Sequence, residues 1–204
     1  MGAEHWDRRY AGADLVWSVG PNCWVEEVAA DLPPGRALDL AAGEGRNALW
    51  LAERGWRATA VDFSQVALDR ATRTAAERLG AAADRFETVC ADLLDYRPDP
   101  RAYDLVLVVY LQVPAHDRTR VVRAAADAVA PGGRLLVTAH DSENLDHGYG
   151  GPPDRSVLYS AADVTSDLDG SGLDVERAEQ VVREVATVEG PRRALDALVV
   201  AFRP

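Results

Sequence analysis

The densest chemistry in this chain lies in the run Leu38-Asp39-Leu40-Ala41-Ala42-Gly43-Glu44-Gly45-Arg46-Asn47-Ala48. A short apolar run meets a glycine turn and passes straight into residues suited to start a helix. Glycines at such a turn let the backbone approach a ligand closely, and the helix N-terminus presents N–H groups to a carboxylate or phosphate. Asp62, in Ala60-Val61-Asp62-Phe63-Ser64, closes the next apolar run, where a carboxylate can accept both hydroxyls of a ribose. Gly43, Gly45 and Ala48 also match a G-x-G-x-x-A dinucleotide fingerprint, so a nicotinamide-dependent oxidoreductase is one alternative. Asp39 weighs against it, because a carboxylate four residues before the first glycine would repel a pyrophosphate. The same carboxylate suits a sulfonium and an α-amino group.

A second set of groups could act on a substrate. Tyr110 stands at the end of the fourth apolar run, His140 at the end of the fifth, and His147 and Tyr149 lie in a Gly/Pro-rich stretch just after it. All fall at or beyond strand C-termini, the side on which open α/β sheets bind ligands. Trp6, Tyr10 and Trp17 precede the first strand and suit a cover that closes over cofactor and substrate, with Trp17 against the cofactor. His116 beside Asp117 reads as structural, and His5 has no functional reading.

The elements that must position these groups follow from periodicity. Short apolar runs at Leu38–Ala41, Arg57–Val61, Phe86–Cys90, Leu105–Leu111 and Leu135–Ala139 read as five strands. Helices fall between them: Arg46–Arg54 ended by Gly55, a long one capped by Ser64 and stopped at Gly80, and one carrying Val121, Val122, Ala125 and Val129 ended by Pro131-Gly132-Gly133. Gly20-Pro21-Asn22 leads into an amphipathic helix bearing Trp24, Val25, Val28 and Leu32. This rhythm means βαβ units and a parallel sheet. Leu173–Val185 and Ala194–Phe202, joined by a short turn, must pair antiparallel. The expected fold is a Rossmann-like α/β three-layer sandwich, with a mostly parallel seven-stranded sheet and an antiparallel C-terminal hairpin. One domain spans residues 1–204: lid and helix over 1–35, cofactor-binding core over 36–141, substrate-side loop, helix and hairpin over 142–204.

Composition narrows the partners. The 22 basic residues against 33 acidic ones leave a net charge of -11, which disfavours nucleic acid and anionic membranes as partners. Every basic residue is Arg. Cys23 and Cys90, alone and far apart, make no disulfide framework or zinc site, and no metal is expected. No run reaches the ~18 apolar residues of a membrane span, and Met1–Tyr10 has no apolar leader core. A cytoplasmic protein acting on a small molecule is expected, its oligomeric state open.

Asp39 to Gly45 resembles the acidic-x-Gly-x-Gly-x-Gly signature of class I S-adenosylmethionine-dependent methyltransferases, with Ala41 where the first glycine stands. Other positions match in order over residues 36–141: Asp62, Cys90-Ala91-Asp92-Leu93, Tyr103-Asp104-Leu105 and Pro131-Gly132-Gly133. Gly43-Glu44-Gly45-Arg46-Asn47-Ala48, with Trp6-Asp7-x-x-Tyr10 and Val16-Trp17-Ser18, is similar to the tellurite-resistance and thiopurine S-methyltransferase-like branch. The resemblance implies S-adenosylmethionine as cofactor and S-adenosylhomocysteine as product. Ala41, Ala42, Gly43, Glu44, Gly45, Arg46 and Asn47 would wrap the methionine part, with Asp39 behind. Asp62 would hold the ribose, Phe63 and Ser64 the adenine side, and Ala91, Asp92 and Leu93 the adenine edge, with Val109 ending the strand beneath the methyl group. The Asn/Asp-Pro-Pro-aromatic run of amino-group methyltransferases acting on nucleic acid is replaced here by Val109-Tyr110-Leu111-Gln112-Val113-Pro114. Sulfur, selenium, tellurium, oxygen and nitrogen all stand as acceptor atoms, and a non-catalytic cofactor-binding protein is a further alternative.

Overall fold

The computed structural model describes Asp7 and residues 20–204; Trp6, Tyr10 and Trp17 lie outside them. Asn22 caps α1 (Cys23–Ala29), the first helix whose bounds are described, by accepting the Trp24 amide at 2.9 Å. Then follow β1 (Arg36–Leu40), α2 (Arg46–Glu53), β2 (Arg57–Asp62), α3 (Gln65–Leu79), a 3-10 turn (Gly80–Arg85) and β3 (Phe86–Cys90). β4 (Tyr103–Val109), α4 (Ala115–Ala128) and β5 (Val129–His140) come next. The chain ends with two short helices, α5 (Asn144–His147) and α6 (Ala161–Asp167), before β6 (Asp174–Val185) and β7 (Arg192–Phe202).

The seven strands form one sheet in the order β3-β2-β1-β4-β5-β7-β6. β1 to β5 run parallel, while β7 enters antiparallel between β5 and β6. Side chains alternate across the sheet with period two, and two apolar layers result. Ala37, Leu105, Leu107, Val109, Leu136, Leu198 and Val200 pack with α1, α2 and α3 on one face. Leu38, Leu40, Val106, Val108, Val137 and Val199 pack with α4 and α6 on the other. A buried ion pair ties that second layer together, Arg118 Nε donating to Asp167 Oδ2 at 2.6 Å.

Of the element boundaries that differ from the sequence reading, three follow from local backbone geometry. β1 stops at Leu40 because Ala41 turns to φ 61°, and β4 stops at Val109 because Tyr110 turns to φ 55°. Both residues therefore stand past the strand ends rather than in the strands. The fourth helix ends at Ala128, not at Pro131-Gly132-Gly133, which lies within β5. Val129 already pairs with Tyr103, and the pairing resumes at Arg134–Leu105, so Ala130–Gly133 form a bulge. Gly133 is required there, since a Cβ would stand 2.9 Å from the carbonyl oxygens of Ala130 and Tyr103.

Candidate active site

The turn between β1 and α2 winds through three left-handed residues, Ala41, Gly43 and Gly45 at φ 61°, 55° and 73°. A Cβ on Gly45 would approach Ala71 Cβ to 3.1 Å and Phe86 Cζ to 3.2 Å, so close packing of α3 and β3 joins the positive φ in demanding glycine. The Gly43 amide donates to Asp62 Oδ2 at 2.8 Å, and the Ser64 amide donates to Asp62 Oδ1 at 2.9 Å. Asp62 is thus held by two backbone donors at the end of β2, each oxygen keeping acceptor capacity in hand. Burial pushes its carboxyl upward, opposed by those amides.

Asp39 stands behind the same turn, 1% exposed, with neither oxygen in a proper hydrogen bond among the described residues. Burial drives its carboxyl to about 7, against the pull of the Ala48 amide and the Arg46 guanidinium and with a push from Asp62. An ionised carboxylate this deep needs a positive partner.

Other residues expected at the site also make contacts that hold the fold. Glu44 pairs with Arg70 at 3.0 Å. Asn47 Oδ1 accepts the Asn22 amide at 2.9 Å and fixes α1 over α2. Ser64 is fully buried; its hydroxyl donates to Asp7 at 2.5 Å and accepts the Ala67 amide, capping α3. Ala42 is buried and Arg46 half-buried at the start of α2; Phe63 is half-buried after β2, and Val109 is buried as the last residue of β4. After β3, Ala91 donates its amide to Asp62 O, Asp92 is exposed with Oδ1 accepting the Leu94 amide, and Leu93 packs on the second apolar layer.

The structure adds a cluster on the same sheet face at the ends of β4 and β5. Its centre is Asp196 of β7, fully buried, which periodicity and motif did not single out. Its Oδ2 accepts from Tyr110 Oη at 2.8 Å, Arg183 Nε at 2.8 Å and Trp24 Nε1 at 3.2 Å. His140, paired with Asp196 in the β5–β7 ladder, brings Nδ1 to 3.5 Å from Oδ1. The Tyr110 and His140 rings lie 4.9 Å apart. Burial and the Asp196 charge raise the Tyr110 phenol far above its usual range, so it keeps its proton and donates it. Burial lowers His140, with Asp196 opposing and Arg183 assisting, which leaves a neutral imidazole at pH 7. His147 and Tyr149 are exposed and are not brought to this cluster. The long loop instead contributes Gly151, whose Cβ position falls 2.8 Å from the His140 ring. A signal for Asp196 was present: it is the lone carboxylate in the apolar run Ala194–Val200.

Comparison with known proteins supplies the frame. Residues 37–133 match the family model described as a methyltransferase domain. A demethylmenaquinone methyltransferase from Clavibacter sepedonicus is 32% identical over 126 residues, covering 62% of this chain and 48% of that relative. The chain spans less than half the length of the curated relatives it matches, at 48%, 39% and 26%. TehB from Haemophilus influenzae shares the fold with a TM-score of 0.72 at 17% identity, over 99% of this chain and 67% of that one. The glycopeptide N-methyltransferase MtfA complexed with S-adenosylmethionine superposes with a TM-score of 0.64 at 22% identity, over 89% of this chain and 93% of that one.

Proposed function

We propose that this chain, which has the class I methyltransferase fold and carries a methyltransferase domain over residues 37–133, transfers a methyl group from S-adenosylmethionine to a small-molecule acceptor. The observation that carries the reading is Asp39: a buried carboxylate with neither oxygen in a proper hydrogen bond among the described residues, set behind a glycine turn and beside the ribose-type acid Asp62. A cationic ligand, with its sulfonium and α-amino group, adds to the positive charge that the Arg46 guanidinium alone brings near this carboxylate. A pyrophosphate would worsen the repulsion, so the nicotinamide alternative fits poorly.

Bound S-adenosylmethionine supplies a methyl on sulfonium sulfur; the acceptor's lone pair forms the new bond to carbon while the carbon–sulfur pair stays on sulfur. The protein's own work is alignment and exclusion of water. Asp62 orients the ribose, the turn from Ala41 to Gly45 shapes the methionine side, and Phe63, Ala91, Asp92 and Leu93 border the adenine side. Trp6, Tyr10 and Trp17 complete the proposal as a cover, outside the described residues. The acidic balance of the chain supports a small acceptor over a nucleic acid. Among the described residues, no helix is long and apolar enough to cross a membrane.

Calorimetric titration with S-adenosylhomocysteine, against NAD⁺ as control, tests the reading. Binding of the first and not the second is expected; binding of NAD⁺ alone would transfer the chain to the oxidoreductases.

A further inference from the structure

We infer that His140 and Asp196 form a proton-accepting pair, and that the acceptor is therefore a molecule whose reacting oxygen, nitrogen or sulfur still carries its proton. The inference rests on the methyl-transfer reading above and deepens it. A soft anion such as selenite or tellurite presents a free lone pair on the reacting atom, with no proton there to remove, so a base beside that atom would be idle. A hydroxyl, an amine or a thiol must lose a proton as it gains the methyl group, and a base placed at that point accelerates the step.

The geometry selects one tautomer. Nδ1 of His140 is buried with no hydrogen-bond partner of good geometry, and so is Oδ1 of Asp196, 3.5 Å away. The two atoms face each other just outside hydrogen-bond distance, so a small approach with the proton on Nδ1 would satisfy both, whereas a proton on Nε2 would set two lone pairs against each other. The ring is flanked by Tyr110 on one side, and Gly151 stands so near that a Cβ there would meet its Cγ and Cδ2 at 2.8 Å. A 15% residual exposure of the side chain, with Nδ1 sealed, leaves the edge bearing Nε2 as the open one. This edge stands at the C-terminal end of β5, beside the end of β4, where the cofactor crevice of such a sheet opens.

Asp196 is the positioning residue. Its Oδ2 is saturated by Tyr110, Arg183 and Trp24, which fixes the carboxylate and turns Oδ1 toward the imidazole. Among the described residues, the charged and titratable groups around the pair are Arg183 from β6, the protonated Tyr110 after β4, the Cys23 thiol of α1 beside the same Arg183 and Asp196, and Arg46 of α2 beside Tyr110 and Arg183. In the reaction the acceptor's proton passes to Nε2, and the resulting imidazolium is held through Nδ1–H by the Asp196 carboxylate.

Two-bond ¹H–¹⁵N spectra of protein labelled at its four histidines, assigned with His140→Gln, test the pair without any acceptor. Neutral His140 is expected to carry its proton on Nδ1 and to titrate below an ordinary histidine. Asp196→Asn should lower that titration by about one further unit or more. A proton on Nε2 in the unmodified protein, or a titration that Asp196→Asn leaves in place, overturns the inference; the first is read in the unmodified protein, with His140→Gln used only to assign its signal. S-adenosylhomocysteine binding, measured beside it, reports on the methyl-transfer reading separately. In a screen of phenols, alcohols, amines and thiols against selenite and tellurite, turnover should favour the proton-bearing acceptors and fall about 100-fold or more in His140→Gln. Turnover confined to the oxyanions and indifferent to His140→Gln overturns it equally.

Discussion

Gly43 donates its amide hydrogen to Oδ2 of Asp62 at 2.8 Å, so the turn after β1 and the acid that ends β2 are one mechanical unit. A residue expected to hold a ribose also holds the loop that shapes the methionine side. Asp62→Ala should therefore cost twice. It should weaken S-adenosylhomocysteine binding by about tenfold or more through the lost charge-assisted bonds. It should also leave the Gly43 and Ser64 amides without acceptors, at about 1–3 kcal/mol for each buried donor. Calorimetry and thermal denaturation of the same variant separate the two losses, and unchanged stability would sink the mechanical half.

Ala41 sits at φ 61°, in the region an L-residue enters at a cost of roughly 1–2 kcal/mol. Ala41→Gly removes that strain but adds backbone entropy to the unfolded chain, at about 0.4–1 kcal/mol. A net gain of about 0.5–1 kcal/mol is expected, raising Tm by roughly 2 °C for a domain of this size. Ala41→Val should fall in the opposite direction, because a β-branched side chain resists the left-handed region more strongly.

The buried Asp39 carboxyl, raised from 3.8 to about 7, makes stability depend on pH with a definite sign. Between pH 4 and 7 the folded state holds a proton that the unfolded state has released. Stability from this group therefore falls as pH rises through that window, and the full penalty stands above pH 7. Asp39→Asn should match the parent chain near pH 4 and exceed it in denaturant midpoint at pH 8. S-adenosylmethionine, by bringing positive charge to the carboxylate, should bind with release of a proton near pH 6.5. That release would appear as a binding enthalpy that changes with the ionisation heat of the buffer.

Arg118 and Asp167 meet at 2.6 Å with only 9% and 7% of their side chains exposed. Removing one partner strands a buried charge, and Asp167→Ala should cost about 3–5 kcal/mol. Replacing both, as Arg118→Met with Asp167→Leu, should restore most of it. Neither variant should alter S-adenosylhomocysteine binding, since the pair lies on the face away from Asp39.

Most of the frame was legible along the chain because its signals are local. Ser64 caps α3 and Gly80 follows its last residue, and β3 runs from Phe86 to Cys90, all as periodicity and capping chemistry place them. The parallel sheet and its antiparallel hairpin followed from the presence or absence of helices between strands. Pro131-Gly132-Gly133 misled because a helix stop and a bulged strand start share the same residues; only the pairing of Val129 with Tyr103 decides. At the site, Asp39 and Asp62 were visible through their places beside a turn. Asp196 and Arg183 were not, because their meaning comes from register. Strand pairing alone sets Asp196 between His140 and Val181, and Tyr110 reaches it from 86 residues away.

The alternation of side chains across the sheet divides tolerance to substitution by parity. Odd positions of β1 and even positions of β5 and β7 look toward the layer that holds Asp39, His140 and Asp196, while their neighbours look toward α4 and α6. In a saturation scan read out by growth or turnover and again by abundance, these strands should show two different rhythms. Abundance should suffer at every buried position alike. Turnover, corrected for abundance, should dip at every second residue, so that adjacent codons in one strand answer to different selective pressures.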